Sequence, residues 1–313
     1  MKNKPKIAVV MPCFNGEKYI GRSIESILSQ TFDSLELIII NDGSTDESER
    51  TISSYLKDPR VKYHALEKNM GNYYARNYGM KLATAKYIAV MDADDIADSN
   101  RLQIAFDFLE CHKRVGAVGS QGFWIDTEDK IIGNLNKPYH TRRLNMLLLK
   151  NNFTLHPSLM FRNTLLKRNN LYYNERLRYS ADYDFVVRCS QYFRIENIPN
   201  RIIKYRMHSE QISSKRKQEQ TAFANEVRFM QLKRFGINMS DEEINLYQQL
   251  MREDHLTVAE INVLLEFLNR IVESNKKLRL YPTSHLFNFF QLLLSKAYHK
   301  AITVIDKLSY SDR

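Results

Sequence analysis

The chain has 313 residues, 43% of them hydrophobic and 26% charged, which is typical of a soluble globular protein with a sizeable core. Apolar runs such as residues 147–149 and 292–294 are far shorter than the roughly 18 residues that span a bilayer. The basic residues 1–6 lead into a short strand-like run and not into a long apolar segment. We therefore expect neither a transmembrane helix nor a secretory signal.

The three cysteines, Cys13, Cys111 and Cys189, are odd in number and widely spaced. This spacing fits neither a disulfide framework nor a zinc site. Unpaired thiols of this kind are typical of proteins in the reducing cytosol. We therefore predict a cytoplasmic location.

The net charge of +10 is concentrated in residues 137–178, which contain nine Lys or Arg residues and a single acid, Glu175. One interpretation is a solvated basic face. The other is a surface that attracts anionic lipid or a diphosphate-bearing substrate. In the second case we expect peripheral contact with the inner face of the cytoplasmic membrane.

Strands and helices alternate at the start of the chain. Mainly apolar runs at residues 7–11, 36–40 and 87–91 predict strands, and a further strand is predicted at 61–65. Helical periodicity predicts helices near 17–30, 47–57 and 74–82. Ser44 and Glu47 fit a capping box at the start of the second helix. Because parallel strands need crossover connections, this order indicates an α/β fold with a largely parallel sheet and helices on both faces.

The alternation stops after a predicted helix at residues 101–112. Antiparallel strands are predicted at 115–118, 123–126 and 130–132, followed by a strand at 158–162, a helix at 182–193 and a strand at 202–206. Beyond that the pattern is helical, with helices near 219–236, 240–252, 258–276 and 283–307. We predict a first domain of residues 1–214 and a C-terminal helical region of residues 215–313.

The helical region carries two capping boxes, Ser240 with Glu243 and Thr257 with Glu260. Its apolar stripes are typical of a packed core. The apolar residues of 281–308 lie among lysines, so an alternative is contact with a membrane or with a second subunit, which allows a homo-oligomer.

Carboxylates gather where the predicted strands end. Asp42 follows the second strand and residues 92–95 follow the fourth, while residues 12–16 follow the first. Ligands of such sheets bind beyond the carboxyl ends of the strands, so we expect these three loops to form one crevice. Mg²⁺ and Mn²⁺ prefer oxygen ligands and are often shared with substrate phosphates. Asp92 and Asp94 therefore predict a site for a cation and a phosphorylated ligand.

The chain resembles the inverting glycosyltransferases of family 2, which belong to the nucleotide-diphospho-sugar transferase superfamily. The resemblance implies the GT-A fold, a Rossmann-like mixed sheet flanked by helices, here with a C-terminal helical extension. It covers residues 5–212 and rests on six motifs in the expected order. They are residues 10–15 (VMPCFN), 41–46 (NDGSTD), 71–79 (GNYYARNYG), 92–95 (DADD), 181–184 (ADYD) and 205–208 (YRMH).

The resemblance also implies a site for a UDP-sugar. The residues that would bind the nucleotide-sugar are Pro12, Phe14, Asn15, Asp42, Gly71, Arg76, Asp92 and Ala93. Within this set, Asp42 would accept a hydrogen bond from uracil and Asp92 would bind ribose hydroxyls. Asp94 would hold Mn²⁺ or Mg²⁺ together with His208, for which a structural role is the alternative.

By the same resemblance, Asp182 is the catalytic base that takes a proton from the acceptor hydroxyl. Relatives often carry Glu-Asp where this chain has Ala181 and Asp182, so the acceptor contacts of that Glu are in question. Asp184 is the second candidate for the base. Asp184 and His156 are assigned to the acceptor side, and His156 also fits a structural role. The processive Gln-x-x-Arg-Trp signature is missing, so we expect transfer of one sugar per encounter.

The leading hypothesis is a metal-dependent transferase of a hexose or N-acetylhexosamine that acts on a growing, lipid-linked surface glycan such as capsule or lipopolysaccharide. A nucleotidylyltransferase shares the architecture, but it needs a Gly-rich triphosphate loop, and residues 12–19 are not such a loop. A noncatalytic basic module is the third hypothesis. Its nucleic-acid partner would be repelled by the carboxylates, so we expect no nucleic acid to bind.

Overall fold

The computed structural model describes residues 4–139, 144–208 and 216–311. The chain forms two compact units, one made of Met1–Leu144 with Phe153–Gln220 and one made of Asn145–Asn152 with Thr221–Arg313. The predicted domains were contiguous, whereas the short segment 145–152 belongs to the helical unit. The segment belongs there because its side chains Met146 and Leu149 are buried in the core of that unit.

The first unit begins with four strands joined by helices, as predicted. The strands are β1 (Ile7–Cys13), β2 (Leu35–Asn41), β3 (Val61–Ala65) and β4 (Tyr87–Val90), and the helices are α1 (Ile20–Leu28), α2 (Ser48–Ser53) and α3 (Asn72–Leu82). The strands are parallel in the order β3, β2, β1, β4. Every residue of β1 and β4 is buried, because helices cover parallel sheets on both faces.

Helix α3 packs closely on the sheet at Gly79. A Cβ atom added there would lie 2.6 Å from Cγ1 of Val10 and 3.3 Å from Cγ1 of Ile40. The missing side chain therefore lets the helix approach β1 and β2.

The remaining strands of the same sheet are β5 (Ile96–Ala97), β6 (Val115–Ile125), β7 (Ile131–Leu135), β8 (Met160–Arg162) and β9 (Arg194–Arg206). The sheet order is β3-β2-β1-β4-β8-β6-β9-β5, and β7 pairs with β6. Strand β8 is antiparallel to β4 and β6, and β9 runs parallel to β6. The mixed sheet confirms the predicted α/β class. The flanking helices are α4 (Arg101–Cys111), α6 (Asn163–Arg168) and α7 (Ala181–Ser190), while the short helix α5 (Leu144–Leu147) lies almost wholly in the second unit.

Three local predictions were wrong. Helix α2 begins at Ser48, and Ser44 and Glu47 form no capping box, because the Ser44 hydroxyl accepts the main-chain N–H of Asn15. Residues 115–125 form one continuous strand and not two. The last strand starts at Arg194, eight residues earlier than predicted, because its first half pairs with the start of β6.

The second unit consists mainly of α8 (Lys217–Lys233), α9 (Asp241–Arg252), α10 (Val258–Leu278) and α11 (Thr283–Ser311). Both predicted capping boxes are present, at Ser240 with Glu243 and at Thr257 with Glu260. The predicted apolar stripe of α10, which includes Leu264, Leu268 and Ile271, is largely buried, whereas its Leu265 is 39% exposed. Within the described residues, no helix is both long and apolar enough to cross a membrane.

Candidate active site

The loops that follow β1 and β2 are bonded to each other. The main-chain N–H of Asn15 donates to Oγ of Ser44 at 2.9 Å, and Thr45 donates its N–H to Oδ1 of Asn15 at 2.9 Å. The N–H of Gly16 donates to Oγ of Ser48 at 2.8 Å. These bonds hold the first loop in place and leave the Phe14 ring 48% exposed beside it.

Asp42 connects the second loop to the third. Its oxygens accept the main-chain N–H groups of Met70 at 2.7 Å and Gly71 at 2.9 Å, and the residue is only 1% exposed. Burial raises the pKa of the Asp42 carboxyl, and the two N–H bonds oppose this shift. Gly71 has φ of 97°, a conformation that favours glycine at this bend.

Asp92, at the end of β4, is paired with a buried arginine. Nη2 of Arg76 donates to Oδ1 of Asp92 at 2.5 Å, and the Arg76 side chain is 1% exposed while that of Asp92 is 27% exposed. Nε and Nη1 of Arg76 have no hydrogen-bond partner in the described part of the chain. The buried guanidinium therefore fixes Asp92 at the rim, with part of its carboxylate open to solvent.

Asp94 and His208 meet although they are 114 positions apart in the sequence. Nε2 of His208 lies 3.0 Å from Oδ2 of Asp94, and the side chains are 14% and 32% exposed, respectively. Pairing of β5 with β9 brings these two parts of the chain together. The neighbouring Asp95 is fully buried, and burial raises the pKa of its carboxyl well above the ordinary value, with Asp94 and Asp92 adding to the shift.

Asp182 lies in the first turn of α7 and is half-buried. Its charge and those of the rim carboxylates all act on the hydroxyl of Tyr205. Burial raises the pKa of the Tyr205 hydroxyl well above its ordinary value, and the charges of Asp95, Asp92, Asp94 and Asp182 raise it further. Carboxylates of the 92–95 motif and of the 181–184 motif therefore act on the same hydroxyl, which indicates that the two motifs face one region of the first unit.

Asp184 is placed differently from Asp182. It is 4% exposed, and one of its oxygens accepts Nε of Arg188 at 2.8 Å and pairs with Nη2 of the same arginine at 2.7 Å. Arg188 also donates to the main-chain oxygen of Tyr172. This ion pair ties α7 to the preceding segment and occupies the Asp184 carboxylate.

His156 lies in the short 3₁₀ turn before β8. Its Nε2 is 3.0 Å from the hydroxyl of Tyr173, and its Nδ1 is buried with no hydrogen-bond partner in the described residues. Burial and the charge of Arg76 lower the pKa of the imidazole from 6.5 to about 4. The ring is therefore neutral near pH 7.

The buried His156 predicts a specific dependence of stability on pH. Between pH 6.5 and about 4 the unfolded chain takes up a proton at this residue that the folded chain resists, so stability should fall as the pH falls through that window. A His156→Gln variant should lose less stability over the same window. Urea denaturation at pH 7 and pH 5 measures this difference, and equal losses in both proteins would contradict it.

Several site residues were not predicted from the sequence. Tyr73 and Tyr173 stack with ring centroids 5.6 Å apart and interplanar angle 20°, and Asp182 contributes to the raised pKa of both hydroxyls after burial. Burial lowers the pKa of the Lys137 ammonium, and the charge of Asp182 opposes this shift. The GNYYARNYG motif contained Tyr73 and the basic segment 137–178 contained Lys137, but no sequence signal marked Tyr173.

Asp94 and His208 provide only two of the ligands that a divalent cation requires. In the described part of the chain no group of three or more His, Cys, Asp or Glu side chains could hold a metal ion. One carboxylate and one imidazole suit Mn²⁺ and, less well, Mg²⁺, provided that a bound ligand supplies further oxygens. The residues present therefore fit a cation that is shared with phosphates.

Residues 8–169, more than half of the chain, match the family model described as glycosyl transferase family 2. The chain belongs to this family. An uncharacterized glycosyltransferase of Haemophilus influenzae is 33% identical over 240 residues, which are 73% of each chain. Chondroitin synthase of Escherichia coli is 29% identical over 220 residues, 69% of this chain and 31% of that protein.

A similar fold is found in S. aureus TarS 1–349, whose crystal structure in complex with UDP-GlcNAc has a TM-score of 0.64 to this chain. Sequence identity is 18%, and the likeness covers 98% of this chain and 92% of that one. The predicted GT-A fold is confirmed. The protein is a family 2 glycosyltransferase, which decides against the nucleotidylyltransferase and the noncatalytic module.

Proposed function

We propose that this glycosyltransferase moves one sugar from a UDP-sugar to a hydroxyl of a growing surface glycan, with inversion at the anomeric carbon. The observation that carries this proposal is the rim of the sheet, where Arg76 holds Asp92 and the Asp94 carboxylate contacts His208. A transfer needs a charged group that holds the donor and a separate base beside it. Asp92 and Asp94 at this rim are suited to the donor, and Asp182, whose charge also raises the pKa of the nearby Tyr205 hydroxyl, is suited to the base.

The donor would bind at the loops that follow β1 to β4. The exposed ring of Phe14 and the main chain near Pro12 and Asn15 offer a surface for the base and ribose, and the backbone at Gly71 and Ala93 lines the same edge. The partly exposed Asp92, held by Arg76, is suited to accept ribose hydroxyls. Asp42 would contribute mainly by holding the third loop, and its contact to uracil stays a prediction. The likeness to an enzyme solved with UDP-GlcNAc supports UDP as the nucleotide.

Asp94 and His208 would hold the metal ion, Mn²⁺ or Mg²⁺. Their 3.0 Å contact brings a carboxylate oxygen and an imidazole nitrogen to one point at the rim. When bound, the cation would stabilise the charge that develops on the leaving diphosphate. Asp92 is tied to Arg76, which leaves Asp94 as the carboxylate for this role.

Asp182 would act as the base. The acceptor oxygen attacks the anomeric carbon, the bond from that carbon to the diphosphate breaks, and the acceptor proton passes to the Asp182 carboxylate. Asp184 is occupied by Arg188, which favours Asp182 over its neighbour. His156, neutral and bonded to Tyr173, would shape the acceptor side without supplying a charge.

The donor part of the proposal is tested by incubating the protein with a panel of UDP-sugars and MnCl₂ and measuring release of UDP. We expect slow hydrolysis of one donor and an increase in melting temperature with UDP plus Mn²⁺ that UDP alone does not give. GDP-sugars and CDP-sugars serve as matched controls. Equal responses to all three nucleotides would contradict the assignment of UDP.

The acceptor would be a glycan linked to a lipid diphosphate. The support is the net charge of +8 between residues 137 and 178 and the similarity to a polysaccharide synthase. We expect the protein to float with liposomes that contain anionic lipid and to stay in solution with neutral liposomes at low salt. Flotation that does not depend on lipid charge, or no flotation at all, would contradict membrane contact.

A further inference from the structure

We infer that the turn between β6 and β7, acting through Arg206, positions the two side chains that would hold the metal ion. Here the clamp means Arg206 together with Asp129 and Tyr19. The inference rests on the proposed function, because it concerns the Asp94 and His208 pair. It assigns a role to three residues that do not themselves touch the substrate, so they are positioning residues and not catalytic ones.

Arg206 is bonded to both acids that follow Ala93. Its Nε donates to the main-chain oxygen of Asp94 at 2.7 Å, and its own main-chain N–H donates to Oδ1 of Asp95 at 2.9 Å. The residue is 0% exposed. Arg206, two residues before His208, therefore joins the end of β9 directly to the loop after β4 at Asp94.

The turn between β6 and β7 holds the other side of the guanidinium. Nη1 of Arg206 donates to the main-chain oxygen of Asp126 at 2.8 Å, and Nη2 forms an ion pair with Oδ1 of Asp129 at 2.5 Å. That contact is an ion pair and not an aligned hydrogen bond. Asp129 has φ of 71° and also binds Arg22 through Oδ2. The carboxylate is therefore held between two arginines, one buried and one exposed.

Tyr19 connects the same guanidinium to His208. The Arg206 Cζ atom lies 4.5 Å from the centroid of the Tyr19 ring, and the Tyr19 and His208 ring centroids are 5.3 Å apart. Tyr19 is 8% exposed, so its ring is fixed by packing. One buried arginine thus fixes the main chain of Asp94 by hydrogen bonding and the ring of His208 through an aromatic contact.

The geometry makes Asp129 the adjustable part of the clamp. Arg206 and Tyr19 are buried and carry the fold, whereas the Asp129 side chain is 29% exposed and lies in a turn. Groups that orient metal ligands without touching the metal typically change its affinity by 10–100-fold when they are replaced. Loss of the Asp129 charge should loosen Arg206 and, through it, the distance between the two metal-binding side chains.

The test is Mn²⁺ binding to the protein–UDP complex, measured by electron paramagnetic resonance for the full chain and for Asp129→Asn. We expect the dissociation constant for Mn²⁺ to increase about tenfold in the variant. The matched control is Glu128→Gln, an exposed acid of the same turn that is not bonded to Arg206. It carries the same change of charge and should bind Mn²⁺ like the unmodified protein.

Kinetics separate positioning from a general loss of structure. In Asp129→Asn the KM for Mn²⁺ should rise while kcat at saturating Mn²⁺ stays near that of the unmodified enzyme, and Asp129→Glu should restore part of the affinity. Arg22→Gln, at an exposed position, should give a smaller effect in the same direction and is used if Asp129→Asn does not fold. A loss of kcat with unchanged KM for Mn²⁺ would overturn the inference.

Failure of the inference and failure of the proposed function give different results. If the unmodified protein binds no Mn²⁺ in the presence of UDP, the metal assignment of Asp94 and His208 is wrong. If the unmodified protein binds Mn²⁺ and both Asp129→Asn and Arg22→Gln bind it equally well, only the clamp is wrong.

Discussion

Replacement of Asp182 by asparagine should reduce the rate of sugar transfer by about 10²–10⁴-fold, the usual contribution of a positioned general base. Asparagine keeps the shape of the side chain but cannot take a proton from the acceptor. The donor site lies on other loops, so the affinity for UDP should be unchanged. Release of UDP in the presence of acceptor measures the first effect, and thermal shift with UDP plus Mn²⁺ measures the second.

The matched control is Asp184→Asn, two residues further along α7. The Asp184 carboxylate is buried and paired with Arg188, so its replacement should lower the melting temperature and leave most of the transfer rate. A fully active Asp182→Asn enzyme would contradict the assignment of Asp182 as the base. Loss of activity in Asp184→Asn alone, with unchanged stability, would move that role to Asp184.

Asp94→Ala should lose metal-stimulated transfer, with a decrease of roughly 10²–10³-fold, comparable to removal of a group that stabilises transition-state charge. The reason is that Asp94 provides the carboxylate oxygen that contacts His208. His208→Ala should have a smaller effect, since a water molecule can replace an imidazole among the ligands of Mn²⁺. Titration of activity with MnCl₂ measures both effects.

Asp107→Asn is the control for the metal prediction. Asp107 is an exposed acid on α4 that bonds Gln103, so the variant changes the charge of the protein without touching the rim. Its response to MnCl₂ should match that of the unmodified enzyme. If Asp94→Ala keeps the same stimulation by Mn²⁺ as this control, the metal is bound elsewhere.

The first four strands were predictable because their signals are local. Runs such as residues 37–40 are apolar throughout, and the helices between the strands have periodic apolar faces, so sequence alone defined both kinds of element. The parallel pairing of β6 with β9 was not predictable, because it joins segments about eighty residues apart. The failed capping box at Ser44 has a similar origin, since a distant loop takes up the hydroxyl.

The candidate site divides in the same way. The sequence motifs identified the carboxylates Asp92, Asp94 and Asp182. The side chains that contact Asp92 and Asp94 come from other parts of the chain, so only the folded structure shows them. Arg206 belonged to the YRMH motif, yet the groups that contact its guanidinium come from the loop after β4, from the turn between β6 and β7, and from Tyr19 just before α1. The ion pair of Asp184 with Arg188 joins residues at helical spacing, and that spacing was the available signal that Asp184 is occupied.

The most direct test of the proposed function is a crystal structure of the protein with UDP and Mn²⁺. We expect the uracil and ribose to lie against Phe14 and Asp92, and the cation to contact Asp94, His208 and both phosphates. Asp182 should lie on the opposite side of the sugar position, free of the metal. Nucleotide bound away from these loops, or a cation that contacts neither Asp94 nor His208, would contradict the proposed mechanism.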